Sequence, residues 1–396
     1  MRRGIAVFLC ALLIGSTLAQ DATAADPLTI NSVFSKLIPS PTLANPSAIV
    51  MDEATGEVIY GNNAYAGRKP ASVIKLISAT AAYTHLNPAD TFTTSVFTGI
   101  DSASVVIKGS YDPWFSFKKS EADAMGRTSM QKIEYTAYST LKSLRPAMGK
   151  ESVVYYSNLY HVEVDHMRKY FKSKNASTIF KPLPQSKTMS YVDQEVFSSS
   201  SPTLAVIVDW TLTWSDNLLA ERIAKLASVA AGNPFTEEGV SLTFHQLLTN
   251  LGVSTNNLVV KDASGLSREN RVTAYQIAQL LMVIRHNPQY LPLIDGLPVG
   301  GKTGTLRKRF IETAPSAIGL VKAKTGTLNG TANLAGYVES GDRIYIFVII
   351  ADQLSHNYSA SEKARAAVDK ILGKIASPLL PVISAPPADS ATAVTP

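Results

Sequence analysis

The fold is decided by the stretch SAIVMDEATGEVIYGNNAYAGRKPASVIKL, which covers residues 47–76. Its first half predicts two short strands, Ala48–Met51 and Glu57–Tyr60, because β-rich segments flank an Ala-Thr-Gly turn. Its second half predicts a helix that begins near Pro70, since proline suits the first helical turn, and that continues towards Leu86. The stretch therefore predicts a β-hairpin followed directly by a helix.

The C-terminal part of the sequence repeats this order of elements. Two apolar-rich segments, Ala332–Glu339 and Arg343–Ala351, predict strands joined by a Ser-Gly-Asp turn. A helix is expected from Ala360 to Ile375, with Ser359 as its N-cap. Four further helices are predicted between the two hairpins, at Leu204–Trp214, Leu218–Ala231, Glu237–Leu251 and Thr273–His286. The arrangement predicts an α/β fold in which helices cover one mixed sheet built from strands of both chain ends.

Residues 91–200 differ in character from the segments on either side. They carry short β-rich pieces, lysine-rich loops and a serine run at residues 198–201. We therefore expect an inserted subdomain bounded by loops, within a main domain made of residues 25–90 and 201–376. Residues 377–396 are rich in Pro, Ala and Ser and are expected to form a flexible tail.

The N-terminus has the features of an export signal. A basic start at Arg2 and Arg3 is followed by an apolar run, Ile5–Leu18, and by a small-residue cleavage site at Ala22–Ala24. The run is too short to span a bilayer comfortably. Residues 1–24 are therefore expected to be a signal peptide and not a permanent membrane span, and the protein is expected to be secreted or periplasmic.

Composition and charge exclude several classes of protein. The 396-residue chain carries a net charge of +6, which is too weak and too scattered to indicate nucleic-acid binding. The one cysteine, Cys10, lies in the expected signal, so the exported chain would have no disulfide and no cysteine-bound metal. His161, Glu163 and Asp165 alternate as on the solvent-facing side of a strand, which we prefer to a metal site. We expect no metal and no other cofactor.

Three short motifs occur in order along the chain: S-x-x-K at residues 72–75, S-D-N at 215–217 and K-T-G at 324–326. Residues i and i+3 share one face of a helix, so Lys75 can reach the hydroxyl of Ser72. A serine needs a nearby base to become a good nucleophile, and Lys75 can be that base only when neutral. Burial and a second cation, for which Lys324 is the candidate, would lower its pKa.

The second motif lies at the break between two predicted helices, where polar side chains can face a cleft. Ser215 is placed to relay a proton towards a leaving amine, and Asn217 to hold a substrate amide. The start of the helix at Ser72 offers backbone N–H groups and a helix dipole to a developing oxyanion.

The third motif is expected on a strand at the edge of the sheet. Gly326 has no side chain, so a substrate backbone can lie against this strand. Lys324 and Thr325 are candidates to bind a terminal carboxylate. The N–H group of Thr327 could complete the oxyanion hole.

A second K-T-G-T sequence at Lys302–Thr305 competes with the one at Lys324–Thr327. The later copy leads into the terminal hairpin, which offers it a neighbouring strand. The earlier copy leads into Arg307–Arg309, which is typical of a loop. We therefore assign the substrate strand to Lys324.

These motifs, with their neighbours, resemble serine penicillin-binding proteins of the penicillin-binding protein 4 type, in the superfamily that also contains serine β-lactamases. The resemblance covers residues 47–90 and 202–352. The segments that carry it are Pro70–Leu76, Ser215–Glu221, Asp262–Asn270, Gly304–Leu306 with Arg309, and Ala323–Gly330. Members usually carry a larger insertion between the first two motifs, so the insertion here looks abbreviated.

The resemblance implies a β-lactamase/transpeptidase-like fold and a D-Ala-D-Ala carboxypeptidase that often acts as an endopeptidase as well. It implies an acyl-enzyme on Ser72, no metal, and a location at the cell wall. The implied partners are peptidoglycan stem peptides and β-lactam antibiotics as covalent inhibitors. Arg268, in the segment that resembles D-G-S-G-L-S-R-x-N, is a further candidate for substrate contact.

Two alternatives stay open at this point. A serine β-lactamase of class A uses the same three motifs, but it carries a deacylating glutamate after S-D-N that this sequence lacks in the pattern Glu-x-x-Leu-Asn. A non-catalytic wall-binding or β-lactam-sensing protein is the second alternative, although all motif residues are intact.

Overall fold

The computed structural model describes residues 25–144 and 151–379. The expected signal peptide and most of the expected tail lie outside these ranges, so both stay predictions. Ser377, the first residue of the expected tail, is bonded to the sheet. Its N–H group donates to the Glu339 carbonyl at 3.0 Å, and its carbonyl accepts from the Gly341 N–H group at 3.1 Å.

Ten strands form two five-stranded sheets within the described residues. They are β1 (Ser47–Asp52), β2 (Val58–Asn62), β3 (Thr91–Gly99), β4 (Ser104–Lys108), β5 (Ser152–Ser157), β6 (Thr178–Pro182), β7 (Val192–Thr203), β8 (Val321–Leu328), β9 (Thr331–Ser340) and β10 (Arg343–Ala351). The first sheet has the order β2-β1-β10-β9-β8, and the second has the order β6-β5-β4-β3-β7.

Twelve α-helices accompany the strands in the described part of the chain. They are α1 (Pro27–Leu37), α2 (Lys75–His85), α3 (Lys119–Met125), α4 (Met130–Ser143), α5 (His161–Ser173), α6 (Gln185–Thr188), α7 (Leu204–Trp214), α8 (Asn217–Ala230), α9 (Glu237–Asn250), α10 (Ala274–His286), α11 (Pro292–Asp295) and α12 (Tyr358–Gly373). None of the helices in residues 25–144 and 151–379 has the length and apolar content needed to cross a membrane.

The first sheet joins the two ends of the chain, as the sequence predicts. Strand β1 pairs with β10, with Val50 opposite Phe347. All four pairings in this sheet are antiparallel, whereas we expected a mixed sheet. Short hairpins join β1 to β2, β8 to β9 and β9 to β10, and strands joined by a hairpin are antiparallel.

Helices cover both faces of the first sheet. Ile49 of β1 faces the core that contains α2, α7, α8, α9 and α10, while Val50 faces the core that contains α1 and α12. Strands β1 and β10 are therefore apolar at successive positions, as strands buried on both faces are. The predicted α/β architecture is confirmed.

The second sheet is built from residues 91–203 and has its own apolar core. Its β4-β5 and β5-β6 pairs are parallel. The segment His161–Asp165, which we expected on a strand, lies in helix α5. The apolar residues of this segment follow the spacing of a helix, because Val164, Met167 and Phe171 are all buried on one face of α5 against this core.

The predicted helices after residue 202 are observed within one residue of their expected bounds at α7, α8, α9 and α10. Thr273 caps α10 in a reciprocal capping box with Gln276. The last helix starts two residues earlier than predicted, and its N-cap is Asn357 instead of Ser359.

Candidate active site

The turn that carries Ser72 leads directly into helix α2. Residues Ala71–Ile74 form a 3-10 turn, and Lys75 begins the α-helix. Ala71 has a φ of 46°, in the left-handed region that costs a non-glycine residue about 1 kcal/mol. The packing above it is tight, because a Cβ on Gly265 would lie 2.0 Å from the Ala71 carbonyl oxygen.

Lys75 is buried and is bonded to three oxygen atoms. Its Nζ lies 2.9 Å from Ser72 Oγ, 2.7 Å from Asn217 Oδ1 and 2.6 Å from the carbonyl oxygen of Ser264. Burial lowers the pKa of Lys75 to about 8, although the carboxylates of Glu221, Asp262 and Asp216 oppose the shift. Because about a tenth of a group with this pKa is neutral at pH 7, Lys75 can accept a proton from Ser72.

The S-D-N motif forms the predicted break between two helices. Ser215 ends α7 with a φ of 61°, in the left-handed region. Asp216 then caps α8, and its Oδ1 accepts a hydrogen bond of 3.1 Å from the Leu219 N–H group. This sharp reversal directs Ser215 towards Lys324 and Asn217 towards Lys75.

Lys324 is buried in strand β8 at the side of the site opposite Lys75. Its Nζ lies 2.9 Å from Ser215 Oγ and 3.0 Å from the Thr325 carbonyl oxygen. Burial, together with the nearby charge of Lys75, holds the pKa of Lys324 well below its ordinary value. The three motifs therefore meet in one place, because Lys75 contacts Ser72 and Asn217 while Lys324 contacts Ser215.

Strand β8 is the edge strand of the first sheet, as predicted for the K-T-G motif. On its outer side Val299 pairs with Lys322, near the start of the strand. Gly326 lies so close to the nucleophile turn that a Cβ would be 2.6 Å from the Pro70 carbonyl oxygen. The absence of a side chain at this position is therefore required by the packing of the strand on this turn.

The duplicate motif lies in a loop, as the sequence indicates. Thr303 precedes a 3-10 turn at Gly304–Leu306. The loop nevertheless touches strand β8, because the hydroxyls of Thr305 and Thr325 are 2.9 Å apart. The duplicate thus contributes a contact to the site that the sequence did not indicate.

Arg268 lies at the far end of β8, beside the turn that follows the strand. Its guanidinium donates a hydrogen bond of 3.4 Å to the Asn329 carbonyl. The segment Asp262–Asn270 is held in shape by the Asp262 carboxylate, which accepts from the N–H groups of Gly265 and Ser267. Arg268 is therefore exposed beside the end of β8 and lies apart from the central motif residues.

Two residues in contact with the site were missed by sequence reasoning. Ser264 acts through its backbone carbonyl, and Glu221 accepts hydrogen bonds from the N–H groups of Ala263 and Ser264 at 3.1 and 2.8 Å. The only available signal was their presence in the two segments that carry the family resemblance. Glu221 thereby fixes the direction of the carbonyl that contacts Lys75.

Residues of the segment that forms the second sheet, 91–203, make ion pairs with helix α8 and with the S-D-N motif. Arg222 of α8 lies 3.0 Å from Glu163 of α5, and both side chains are buried. Arg222 also donates to the carbonyl oxygen of Asp112 at 3.3 Å. Arg127 lies 3.7 Å from Asp216 of the motif itself. Glu163 is thus paired with Arg222. Within the described ranges, no group of three or more His, Cys, Asp or Glu residues is arranged to hold a metal.

This fold and these three convergent motifs define the superfamily of penicillin-binding proteins and serine β-lactamases. Residues 31–133 and 183–375 match the model of the D-Ala-D-Ala carboxypeptidase 3 (S13) family, and the chain belongs to that family. The resemblance inferred from the motifs is confirmed.

Relatives of known name support the same assignment. The chain is 34% identical over 168 residues to carboxypeptidase DacB of Mycolicibacterium smegmatis, which covers 41% of this chain and 35% of the relative. It is 35% identical over 164 residues to a D-alanyl-D-alanine carboxypeptidase of an Actinomadura species, covering 40% of this chain and 30% of the relative. The matches thus span about a third of the length of these relatives.

Solved structures share the fold. Penicillin binding protein 4 from Haemophilus influenzae superposes with a TM-score of 0.66 at 16% identity, covering 87% of this chain and 97% of that chain. A predatory peptidoglycan endopeptidase from Bdellovibrio bacteriovorus superposes with a TM-score of 0.57 at 15% identity, covering 84% and 93%.

Proposed function

We propose that this protein is a serine peptidase that removes the terminal D-Ala from peptidoglycan stem peptides ending in D-Ala-D-Ala. The observation that carries the proposal is the distance of 2.9 Å between the buried Lys75 Nζ and Ser72 Oγ. A neutral lysine at this distance can activate the serine without any metal or histidine. Membership of the S13 family, whose relatives include D-alanyl-D-alanine carboxypeptidases, supplies the substrate class.

The proposed reaction has two steps. Ser72 Oγ attacks the carbonyl carbon of the penultimate D-Ala while its proton passes to Lys75, and the N–H groups of Ser72 and Thr327 stabilise the oxyanion. The C–N bond then breaks, and the proton taken up by Lys75 passes by way of the Ser215 hydroxyl to the amine of the departing D-Ala, which returns Lys75 to its neutral form. Water finally hydrolyses the ester on Ser72 and regenerates the enzyme.

The remaining motif residues bind the substrate in this proposal. Asn217 holds a substrate amide, and Gly326 allows the peptide backbone to lie along β8. Thr325 receives the terminal carboxylate, with Lys324 beside it. Arg268 at the rim contacts a more distant part of the stem peptide.

Domain roles and location form part of the same proposal. Residues 25–90 and 201–376 act as the catalytic domain, and residues 91–200 form an inserted subdomain. Export by the predicted signal peptide delivers the enzyme to the periplasm or the cell wall, where its substrate lies. β-Lactams, which mimic D-Ala-D-Ala, acylate the same serine. Cleavage of peptide cross-links requires no further catalytic residues, so the same site also supports endopeptidase activity.

The test is mass spectrometry of the purified protein after incubation with a labelled penicillin, followed by assay of D-Ala release from a pentapeptide stem. We expect one adduct on Ser72 and D-Ala release that is lost in Ser72→Ala. Normal release by Ser72→Ala would overturn the proposal. Rapid turnover of penicillin in place of a lasting adduct indicates a β-lactamase, and an adduct without D-Ala release indicates a non-catalytic sensor. Muropeptides with cross-links separate the two hydrolytic activities.

A further inference from the structure

The duplicate-motif loop, Lys302–Arg309, lies against strand β8 on the K-T-G side of the site. The hydroxyl of Thr305 is 2.9 Å from the hydroxyl of Thr325. Thr325 directly follows Lys324 in β8. This hydrogen bond therefore joins the loop to the part of the strand that carries the second amine.

The same loop packs against the end of helix α7, directly before the S-D-N motif. Gly304 has a φ of 52°, and a Cβ at this position would lie 2.3 Å from the Thr213 carbonyl oxygen. The guanidinium of Arg307 lies 5.3 Å from the centroid of the Trp214 ring and donates a hydrogen bond of 2.9 Å to the Gly304 carbonyl. The loop is therefore fitted closely to the two residues that precede Ser215.

The loop has a fixed base. Leu306 and Phe310 are buried in the core that contains α1 and α12. The carboxylate of Asp369, on α12, pairs with Arg309. The Gly301 N–H group donates to the Leu306 carbonyl at 3.0 Å. A loop held in this way can fix the position of the residues that it touches.

Ser215 needs such support because of its backbone conformation. Its φ of 61° lies in the left-handed region, which a residue other than glycine keeps only where the surrounding structure enforces it. The contact that this conformation serves is the hydrogen bond of 2.9 Å between Ser215 Oγ and Lys324 Nζ. The loop touches the chain beside both partners of this bond, through Trp214 and Thr325.

We propose that the duplicate-motif loop is a positioning element, with Thr305 and Arg307 as its positioning residues, which keeps Ser215 at hydrogen-bond distance from Lys324. The inference rests on the proposed function and deepens it, because this contact serves the proposed transfer of a proton to the departing amine. The duplicate K-T-G-T sequence then acts on the second and third motifs without binding the substrate itself.

The test compares two probes that share the acyl group and the terminal carboxylate but differ in the leaving atom. One is a pentapeptide stem that ends in D-Ala-D-Ala, and the other is its thioester analogue, in which D-thiolactate replaces the last D-Ala. A thiol has a pKa of about 8.5 and leaves as the thiolate, whereas the departing amine has to receive a proton. Changes in carboxylate binding cancel in the ratio of the two kcat/KM values, peptide over thioester.

Thr305→Val removes the hydroxyl and keeps the shape of the side chain, and it is expected to lower this ratio about 10-fold, the effect of one lost hydrogen bond. Thr305→Ser should restore most of the ratio. Arg307→Ala is expected to lower the ratio about two- to fivefold, as for the loss of an exposed cation–π contact. Lys308→Ala, an exposed residue of the same loop, is the matched control and should keep the ratio of the wild type.

An unchanged ratio in Thr305→Val would overturn the inference, and an unchanged ratio in Arg307→Ala would overturn the role of that residue. Equal losses with both probes would also overturn it, because they indicate damage to binding or to the fold, which thermal melting of each variant checks. Failure of the proposed function looks different: the wild-type enzyme would then cleave neither probe.

Discussion

At the scale of single residues, the proposed role of Lys75 as a base depends on its charge. It contacts three oxygen atoms, none of which belongs to a carboxylate. Burial therefore outweighs the more distant acidic groups, and the pKa of Lys75 falls to about 8. A lysine in direct contact with a carboxylate would stay protonated at neutral pH and could not accept the proton of Ser72.

The first prediction concerns the pH dependence of acylation. The active form of Lys75 is the neutral amine, so the rate constant should rise about tenfold per pH unit below its pKa and level off above about pH 8. Glu221→Gln keeps an oxygen that can accept from Ala263 and Ser264 but removes a charge that raises the pKa of Lys75. The rising limb should therefore move to lower pH in this variant.

The measurement is the rate of Ser72 acylation by a penicillin between pH 5 and pH 10, for the wild type and Glu221→Gln. Glu221→Ala is the comparison variant, because it loses both the charge and the acceptor; its rate should be low at every pH. If the rising part of the pH–rate profile lies at the same pH in Glu221→Gln as in the wild type, Glu221 acts through its hydrogen bonds alone.

At the scale of elements, the same tetrapeptide sequence occurs on a strand and in a loop. Lys324 is buried in β8 and contacts Ser215, whereas Lys302 belongs to the loop before a 3-10 turn. Lys324→Ala should lower acylation of Ser72 by at least about 100-fold, since it removes a buried polar partner of the proton relay. Lys302→Ala, the matched control, should change it less than about threefold. The reverse result would mean that the substrate strand has been assigned to the wrong copy.

Elements with a strong local pattern were predicted well from the sequence. The helix that ends at Trp214 buries a regular apolar face, and strand β9, predicted at Ala332–Glu339, is buried along almost its whole length. The segment at Glu163 was assigned to a strand because alternating polar residues were given more weight than the helical spacing of Val164, Met167 and Phe171. The reason for burying Glu163, its partner Arg222, lies in a different segment and leaves no local signal.

The three motifs of the candidate site were likewise visible, but their supporting contacts were not. Ser264 contributes a backbone carbonyl, which every residue type possesses, so no sequence pattern marks it. Thr305 belongs to a loop, and the contact of its hydroxyl with Thr325 depends on how that loop packs on β8. Contacts of this kind come from tertiary packing and require the structure.

At the scale of the whole molecule, helix α8 and the segment that forms the second sheet, residues 91–203, are joined by buried charges. Burial raises the pKa of Glu163 to about 7 and that of Asp112 to about 6, even though Arg222 stabilises the charged forms of both. Removing one partner of a buried ion pair leaves the other without compensation. The pair between Arg222 and Glu163 therefore ties the position of α8, and with it Asn217, to the insertion.

A double-mutant cycle tests this coupling. Arg222→Met should lower the free energy of unfolding by about 3–5 kcal/mol, because Glu163 is then buried without its cation. Adding Glu163→Leu removes the uncompensated carboxylate, so the double variant should be more stable than Arg222→Met alone. Denaturant unfolding at pH 7.5 measures all four proteins. Strictly additive effects of the two substitutions would show that the pair carries no coupling.

The pairing of β1 with β10 has a consequence for synthesis. The ribosome completes Ser72 and its helix early, but the strand that lies next to β1 and the strand that carries Lys324 are made near the other end of the chain. A growing chain therefore contains Ser72 before it contains Lys324 and the edge strand β8. The complete candidate site can therefore assemble only after β8 and β10 have been synthesised and have joined the first sheet.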